Sequence, residues 1–452
     1  MSQLSLFEVI RRSPYRGFFV GEGFQAFGLA AGTTGLVIQV ASDTGNAALS
    51  VGVMVAPSVA AVVFSPAVTP ALKRLGFYQG LVSSYLLAIL AILAVTAISA
   101  GTMAASLLAI ILMFILGAVN TIHTPAVFAT LSWLVGEANI PKGIASTQVR
   151  QALAWVIGPI VGASLIAVSG GRLLLLIVAA TYAIALVPYL ANRQLFRTQQ
   201  QQLLAEMQED PDAMASLMET GVEEYQDANR CQVSLAPSPG AWGFLALLKH
   251  RNFAFVIAVA LVIYLVLGTF SSLTGPWLVL DVGVVMMATG AFYSVRSIAS
   301  LPGAFLVEWA TERIGVSKTL LLFSGLIAGG TLIAAAGATW LPLAYLGMAI
   351  FGISYYSATT VLSLSLIALV FGKSLRVQAQ TLFSFAKGIA SFAFIGVGVL
   401  ADAIGITTVL VAASIMGMGL LLFMRYGMAG MWNEMVVLHD CEREAANEPD
   451  SR

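Results

Sequence analysis

Twelve apolar runs, each long enough to cross a lipid bilayer, alternate with polar breaks along this chain of 452 residues. About 20 apolar residues in an α-helix span the roughly 30 Å hydrocarbon core of a bilayer, and the helix satisfies its own backbone groups there. The chain is therefore predicted to be an all-α membrane protein. The predicted spans are 17–40, 47–71, 76–99, 103–130, 143–169, 172–191, 252–276, 284–310, 317–337, 341–371, 377–401 and 405–426.

The positions of lysine and arginine support this span count independently. With the N-terminus placed inside, 18 of the 22 cationic residues fall in inside segments, and Arg172 alone falls in an outside loop. Cytoplasmic segments carry the excess of positive charge, and one missed span would move every later loop to the wrong side. Both termini are therefore predicted to be cytoplasmic. The first apolar run is too long for a signal peptide, so we expect it to remain as a span.

The chain is predicted to contain two similar halves of six helices each, joined by a polar connector. Lys73-Arg74-Leu75-Gly76 follows the second span, and Glu312-Arg313-Ile314-Gly315 follows the eighth, 239 residues further on. Ala145-Ser146-Thr147 and Ala379-Gln380-Thr381 open the fifth and eleventh spans. Matches in register support a duplicated, pseudo-symmetric six-helix bundle. The predicted parts are a cytoplasmic N-terminus at 1–16, halves at 17–191 and 252–426, a cytoplasmic connector at 192–251 and a cytoplasmic tail at 427–452.

Composition argues against several classes of function. Only 10% of the residues are charged, against about 25% in soluble domains, and the net charge is zero, so no nucleic-acid partner is expected. Cys231 and Cys441 lie in the connector and the tail, where we expect neither a disulfide nor a metal site. The sequence has no nucleophile–base spacing and no phosphate loop. We therefore expect no enzyme activity, no metal and no cofactor.

Three motifs in the N-terminal half carry a family resemblance. They are Val20-Gly21-Glu22 in the first span, Gly45-Asn46-Ala47 in the first outer turn and His123-Thr124-Pro125-Ala126 in the fourth span. These stretches resemble the major facilitator superfamily, in particular the branch with the enterobactin exporter and the macrolide-efflux proteins. The resemblance covers nearly all of the chain outside the connector, and it implies two six-helix bundles and secondary transport.

The loop signature of that superfamily is eroded in both halves. The first copy reads Lys73-Arg74-Leu75-Gly76, so it keeps Arg74 and Gly76 but has Lys73 where the family has an acid. The second copy keeps Glu312, Arg313 and Gly315, with Glu308 in place of the leading glycine. The family's gating role would apply to the residues of both copies. The resemblance implies a latch that steadies one end-state of the transport cycle, and the missing acid puts that latch in doubt for the N-terminal half.

The fifth span contains small residues at four-residue spacing around a proline. Gly158, Pro159 and Gly162, with alanines at 154 and 163, are similar to the Gly-Pro motif of antiporting exporters. Small residues let two helices approach closely, and proline bends a helix by removing one backbone donor. The pattern also fits ordinary tight packing, but the resemblance favours export over uptake.

Three ionisable residues in spans 1, 4 and 5 are predicted to lie at the same depth on the inner side. At about 1.5 Å rise per residue, Glu22, His123 and Arg150 each lie some 8–10 Å from the inner end of their span. We hypothesise that Glu22 pairs with Arg150, with His123 nearby, so that protonation of Glu22 frees Arg150 to engage a substrate anion. The alternatives are side chains that reach the interface, and a histidine that only hydrogen-bonds between helices.

Two cations are predicted near the midplane of the C-terminal half. Arg296 and Lys387 lie about 18 Å and 15 Å into spans 8 and 11, too deep to reach the interface easily. They favour an anionic or carboxylate-bearing substrate, although pairing with Glu308 or Asp402 is an alternative. Trp155 and Tyr264 are candidates for lining a cavity for a bulky organic ligand, and either could instead serve packing.

These patterns favour a proton-coupled exporter of a bulky organic solute, such as a siderophore or a drug, in the inner membrane. The expected partners are the solute, protons and the lipid bilayer, and we expect a monomer. Uptake of a small organic anion is the alternative within transport. A non-transporting receptor or scaffold with the same fold is the alternative from another class, but it has no reason to keep intramembrane charges.

Overall fold

The structure, a computed structural model, describes residues 10–11, 14–98, 102–135, 140–198, 243–249, 251–368 and 373–432. Within these ranges the chain forms helices and short turns without a β-strand. Most of the predicted connector, the tail from residue 433 and both cysteines lie outside the described residues. The long helices are α1 (Tyr15–Thr44), α2 (Ala47–Leu75), α3 (Phe77–Ala97), α4 (Thr102–Val135), α5 (Ile140–Ala191), α6 (Arg251–Pro276), α7 (Met286–Ile314), α8 (Val316–Ala336), α9 (Leu341–Ala368), α10 (Lys373–Ile404) and α11 (Ile406–Gly427).

Helix α5 is long because it contains two predicted spans. Its backbone leaves helical geometry only at Gly170, where φ is 73°, and this break divides it into two arms. The first arm corresponds to the predicted span at 143–169 and the second to the span at 172–191. The helices are therefore compatible with twelve spans, and the predicted all-α membrane fold is confirmed. The cytoplasmic location of the termini stays a prediction.

Length and composition identify membrane-spanning helices directly. Among the described residues, nine helical stretches are long and apolar enough to cross a bilayer, with both arms of α5 counted as one stretch, Val149–Ala191. Leu341–Tyr355 adds a shorter apolar helix. Leucine, isoleucine and valine side chains on these helices are exposed, as expected where lipid replaces water around the protein.

The chain divides into two compact units. Unit 1 consists of Met1–Gly221 and Thr274–Ser294, and unit 2 consists of Val222–Leu273 and Val295–Arg452. Unit 1 thus contains the predicted N-terminal half together with a segment from the second half, which includes the π-helical turn Trp277–Asp281. The predicted domain boundaries themselves stay a prediction.

Glycines in left-handed conformations support the internal duplication. Gly76 and Gly315, the glycines of the two loop signatures, have φ/ψ of 78°/160° and 79°/160°. Residues with a Cβ rarely adopt this region, so the same backbone turn requires glycine in both halves. The other positive-φ glycines of the described residues are Gly45, Gly170, Gly283 and Gly405, which lie at equivalent turns of the two halves.

Unit 1 is built around close contact between α1 and the first arm of α5. A Cβ atom at Gly158 would lie 2.7 Å from Cβ of Ala30, and one at Gly162 would overlap the carbonyl group of Ala31. Pro159 and Ala163 belong to the same contact region, where they face Gly290 of the added segment. The small residues of the span-5 motif therefore bring helix backbones into direct contact.

We expect Gly162→Ala to destabilise unit 1, because the new methyl group forces α1 and α5 apart. Overpacking of this kind costs about 1–3 kcal/mol. Gly419→Ala in α11 is the matched control, since nothing lies within 4 Å of a Cβ atom at that position. Thermal unfolding of the purified protein should show a lower midpoint for Gly162→Ala only. Equal midpoints for the two variants would contradict this account of the packing.

Candidate functional site

Glu22 is a buried carboxylate in the middle of unit 1, and only 2% of its surface is exposed. Glycines on α1 set its position, because they let α1 pack against the second arm of α5. A Cβ atom at Gly21 would lie 3.0 Å from the carbonyl oxygen of Ala185, and one at Gly28 would overlap the hydroxyl of Thr181. This close approach places Glu22 opposite side chains from α3, α4 and both arms of α5.

Both carboxylate oxygens of Glu22 accept hydrogen bonds. Tyr85 of α3 and Tyr189 of the second arm of α5 each donate a hydroxyl to Oε1, at 2.5 Å and 2.6 Å. Oε2 lies 3.2 Å from Nε2 of His123, which belongs to α4. Bonds to an ionised acceptor are about twice as strong as neutral ones, so this arrangement favours a carboxylate at a site where a bare charge would be costly.

Arg150, on the first arm of α5, supplies the nearest guanidinium. Its Nη2 lies 4.0 Å from Oε2 of Glu22, at the edge of ion-pair distance. The residue is only 8% exposed, and its Nε and Nη1 have no hydrogen-bond partner among the described residues. Arg150 also lines an otherwise apolar groove of about 380 Å³ between α1 and α5. Its guanidinium therefore keeps donors that a second acceptor could use.

The contact of His123 with Glu22 places a ring hydrogen on Nε2. With Glu22 ionised, Nε2 must carry a hydrogen to bond Oε2. The Ser84 hydroxyl donates to the carbonyl of Leu81 at 2.7 Å, and its oxygen lies 3.4 Å from Nδ1 of His123. The single hydroxyl hydrogen can point to either acceptor, so Nδ1 faces a polar group that leaves it able to accept a proton. The ring of Tyr85 packs edge-on against the imidazole, with centroids 5.0 Å apart.

Unit 2 contains a second group of charged and aromatic side chains. Cζ of Arg296 on α7 lies 5.4 Å from the ring centroid of Tyr355 on α9, and Nζ of Lys387 on α10 lies 5.6 Å from that of Tyr264 on α6. The two tyrosines are close enough to interact electrostatically, and Phe383 packs against Tyr264. Each cation thus lies within the distance at which an aromatic face attracts it.

Close helix contacts position both cations of this group. A Cβ atom at Gly352 would lie 2.5 Å from the carbonyl oxygen of Arg296, which brings α7 against α9 one turn before Tyr355. Gly268, one turn after Tyr264, lies directly against the ring of Phe394, two turns after Lys387, which brings α6 against α10. Glycine therefore permits backbone contact at the first of these crossings and close packing of an aromatic ring at the second.

The structure brings Glu22, His123 and Arg150 together and assigns the remaining predicted site residues to one unit or the other. Glu22, His123 and Arg150 lie together in unit 1, and Arg296, Lys387 and Tyr264 lie in unit 2; their roles stay predictions. Trp155 is half-buried and belongs to unit 1. In the gating loops, Arg74 is exposed and Arg313 lies over the ring of Trp309, whereas the side chains of Lys73, Glu308 and Glu312 lie outside the described residues.

Sequence reasoning missed the two tyrosines that bind Glu22. These are Tyr85 and Tyr189, and tyrosine in a span normally lies near the membrane interface instead. A third tyrosine, Tyr182, lies two turns before Tyr189 on the same face of α5 and hydrogen-bonds Gln25 on α1. A polar stripe on α1 formed by Glu22 and Gln25, one turn apart, was the available signal for such a buried network.

We expect the double variant Tyr85→Phe/Tyr189→Phe to lose more stability than its single variants do together. Each single variant leaves Oε1 with one donor, whereas the double variant leaves that oxygen buried without a described partner. A hydrogen bond to a charged group contributes about 1.5–3 kcal/mol. Thermal unfolding of the four proteins measures the difference, and Tyr426→Phe, at a side chain that is 74% exposed, is the control. If the double variant loses only the sum of the two single losses in stability, Tyr85 and Tyr189 do not share Oε1 of Glu22 as their acceptor.

Comparison with known proteins identifies the fold. A sequence profile of the Major Facilitator Superfamily matches residues 18–395. The chain resembles a bacterial homologue of the iron transporter ferroportin in an inward-facing state, at a TM-score of 0.66 and 13% identity over 93% of this chain and 99% of that one. It also resembles a POT family transporter in complex with 5-aminolevulinic acid, at a TM-score of 0.68 and 12% identity over 92% of this chain and 96% of that one. A nucleoside transporter matches at a TM-score of 0.63 and 13% identity over 90% of this chain and 99% of that one. The sequence matches none of the curated proteins.

Proposed function

The chain belongs to the major facilitator superfamily and is a multi-pass membrane transporter, and we propose that it exports a bulky organic solute in exchange for protons, with Glu22 as the proton-binding group. We place it as a monomer in the inner membrane. A siderophore or a drug fits the resemblance to the enterobactin-exporter and macrolide-efflux branch. The observation that carries the proposal is the buried carboxylate of Glu22, which three side chains hydrogen-bond and the Arg150 guanidinium approaches to 4.0 Å.

A buried acid is costly unless it serves a purpose. An ionisable side chain at the bilayer centre costs about 2.5–3.5 kcal/mol even on the most lenient scale. Here the acid lies among two hydroxyls, an imidazole and a guanidinium, all of them buried. A proton-binding group needs this combination of burial and charged neighbours, because its protonation then changes local packing and electrostatics together.

The geometry suggests how proton binding could exclude solute binding. As a carboxylate, Glu22 ties α1 to α3, α4 and both arms of α5. Protonation removes the charge that strengthens these bonds, so it favours a second arrangement of the helices. If the solute binds better to the arrangement tied by the carboxylate, solute binding expels the proton. Reciprocal coupling of this kind is proton antiport.

Unit 2 supports an anionic or carboxylate-bearing solute. Arg296 and Lys387 supply two positive charges within one group of aromatic rings. Aromatic faces bind apolar parts of a bulky ligand, while the cations bind its negative groups. We therefore propose Arg296, Lys387 and Tyr264 as solute-binding residues. The Gly-Pro packing of α5 supports the export direction through the family resemblance alone.

Uptake of a small organic anion together with a proton is the second candidate function. It is favoured by Arg150, which retains two buried donors beside a groove. Protonation of Glu22 would release Arg150 for a substrate anion, so proton and anion would bind together rather than compete. A receptor or scaffold that keeps this fold would need neither arrangement.

Counterflow in proteoliposomes tests the transport proposal. Vesicles that contain the purified full-length protein are loaded with a siderophore, a hydrophobic drug or a small dicarboxylate, and an imposed pH gradient supplies the driving force. We expect a pH gradient that is acidic on the side receiving the solute to speed its movement, because protons then run down their gradient in the opposite direction, and the opposite gradient to slow it. Transport with the reverse dependence would support uptake with protons instead, and no transport of any solute would overturn the proposal.

A further inference from the structure

Three voids follow one another through the interior of unit 1. The first, which we call the vestibule, has a volume of about 240 Å³ and lies where α1, α3, α4 and the second arm of α5 meet near Asp43 and Arg172. The second, the middle void, lies beside Gly32 and Thr33 of α1. The third, the His123 void, lies beside Ser84 and His123.

The voids are adjacent because they share walls. Leu36, Leu112 and Leu175 line both the vestibule and the middle void. Leu116 lines both the middle void and the His123 void. The three spaces therefore form one series that leads from the Asp43 end of unit 1 to the imidazole that contacts Glu22. Topology predicted from the cationic residues places the Asp43 end on the outer side.

The sizes and linings of these voids suit single water molecules. The middle void and the His123 void each have a volume of about 10 Å³, close to that of one water-sized sphere. Gln25, Ser84, Asn120, His123 and Tyr182 offer polar groups to a water in the His123 void. The middle void is lined by apolar side chains except for Thr33, so a water there has few partners and occupies it only in passing.

We propose that protons reach Glu22 from the Asp43 end of unit 1, through this series of voids, and that His123 relays them. This inference rests on the proposed role of Glu22 as the proton-binding group. It gives the proton a route through the interior of one helix bundle that is separate from the groove beside Arg150. Glu22 then lies between the two, since His123 lines the last void and Arg150 lines the groove.

The relay conserves protons. A water in the His123 void gives a proton to Nδ1 of a neutral imidazole, and Nε2 gives its proton to Oε2 of Glu22, 3.2 Å away. The ring ends neutral with its hydrogen on the other nitrogen, the water becomes hydroxide and is neutralised by a proton from the vestibule, and Glu22 gains one proton. Histidine is suited to this transfer because its two nitrogens can bind and release protons near neutral pH.

The groups that face Glu22 come from every element packed against it. They are Tyr85 from α3, His123 from α4, Arg150 from the first arm of α5, and Tyr182 and Tyr189 from the second arm. At the vestibule, Asp43 is an exposed acid, and Arg172 donates its Nε to the carbonyl of Thr96 at 3.2 Å. Tyr85 and His123 both line the His123 void and contact Glu22, and of these two the imidazole is the group that binds and releases protons near neutral pH.

Cysteine labelling tests the path without requiring transport. Cys231 and Cys441 are replaced by serine in the full-length protein, and a single cysteine is then introduced as Thr33→Cys, Ser84→Cys or Ser50→Cys. Ser50 is the control because it is fully buried but lines none of these voids. In nanodiscs, Ag⁺, a thiol-reactive ion about the size of a water molecule, should react with the two path cysteines at least about tenfold faster than with the control, because reaction follows access. Equal rates at all three positions would overturn the path.

The relay is tested by following Glu22 itself. Infrared spectroscopy after an acid jump should show a protonated carboxyl band that is missing in Glu22→Gln. Leu116→Phe, which fills the step between the last two voids, should slow the appearance of that band by at least about tenfold, about 1.4 kcal/mol of added barrier. Leu107→Phe, at a side chain that is 48% exposed on the same helix, should leave the rate unchanged. If Leu116→Phe does not fold, Thr33→Val tests the path one step earlier, because it removes the polar side chain that lines the middle void.

The outcomes separate this inference from the proposed function. A wild-type band that appears at the same rate in Leu116→Phe or Thr33→Val overturns the path and leaves Glu22 as the proton-binding group. The absence of any wild-type band over the pH range of transport overturns the proposed function, and with it the inference. Fast labelling of Thr33→Cys and Ser84→Cys together with a slowed band supports the path through the bundle.

Discussion

Glu22→Gln is expected to abolish proton-coupled transport while the protein still folds. Glutamine keeps the size of the side chain and can still accept from Tyr85 and Tyr189, so the hydroxyl contacts at Oε1 have an acceptor. It cannot take up a proton, however, and it removes the negative charge beside His123 and Arg150. The pH gradient should then have no effect on solute flux, because the transporter has lost the group that binds the proton.

The size of this effect distinguishes coupling from damage to the fold. Breaking a buried charge pair costs about 3–5 kcal/mol of stability when the partner is left alone, so the variant must first be shown to be monodisperse and folded. Asp402→Asn, which changes an exposed acid at the end of α10, is the matched control and should keep full coupling. Gradient-driven flux in Glu22→Gln equal to that in the control would remove Glu22 from the mechanism.

Replacing the two cations of unit 2 should weaken binding of an anionic solute more than any other change in that unit. Arg296→Gln and Lys387→Gln each remove a charged donor, and such contacts contribute about 1.5–3 kcal/mol, so each variant should bind about ten- to hundredfold more weakly. The effect should be smaller for a neutral analogue of the same solute, because only the charged contact is lost.

A cation at the end of a helix provides the control for this second prediction. Arg425 of α11 lies over the ring of Tyr426 at 5.7 Å, the same kind of contact as those of Arg296 and Lys387, but Tyr426 is exposed. Arg425→Gln should leave solute binding unchanged in a titration of the purified protein. If Arg296→Gln and Lys387→Gln bind the anionic solute as tightly as Arg425→Gln does, the solute does not use these cations.

Much of the fold could be predicted because membrane helices are specified by local composition. Apolar length marked each span, and the loop glycines at 76 and 315 marked turns that the backbone confirms with the same left-handed geometry. The break at Gly170 was visible only as a short gap between two runs, so α5 was expected as two helices. Inclusion of 274–294 in unit 1 could not be predicted, since it depends on packing between distant residues such as Ser294 and Val156.

The sequence could predict the depth of each site residue in the membrane, but not the direction in which its side chain points. Glu22, His123 and Arg150 were expected together because equal depth on neighbouring spans limits their separation, and the structure places them together. Tyr85 and Tyr189 were missed because depth does not show which way a side chain points around its helix. The voids above His123 were also beyond prediction, because their walls come from single atoms of leucine side chains on four elements.

Proton exchange on solute binding tests the role of Glu22 most directly. A solute is added to purified wild-type protein and to Glu22→Gln in weakly buffered solution, and a pH-sensitive dye records protons released or taken up. The account predicts that the wild type releases protons and that Glu22→Gln releases none. A rise in pH that disappears in Glu22→Gln would keep Glu22 but replace export by proton-linked uptake. The same release from both proteins would contradict the account.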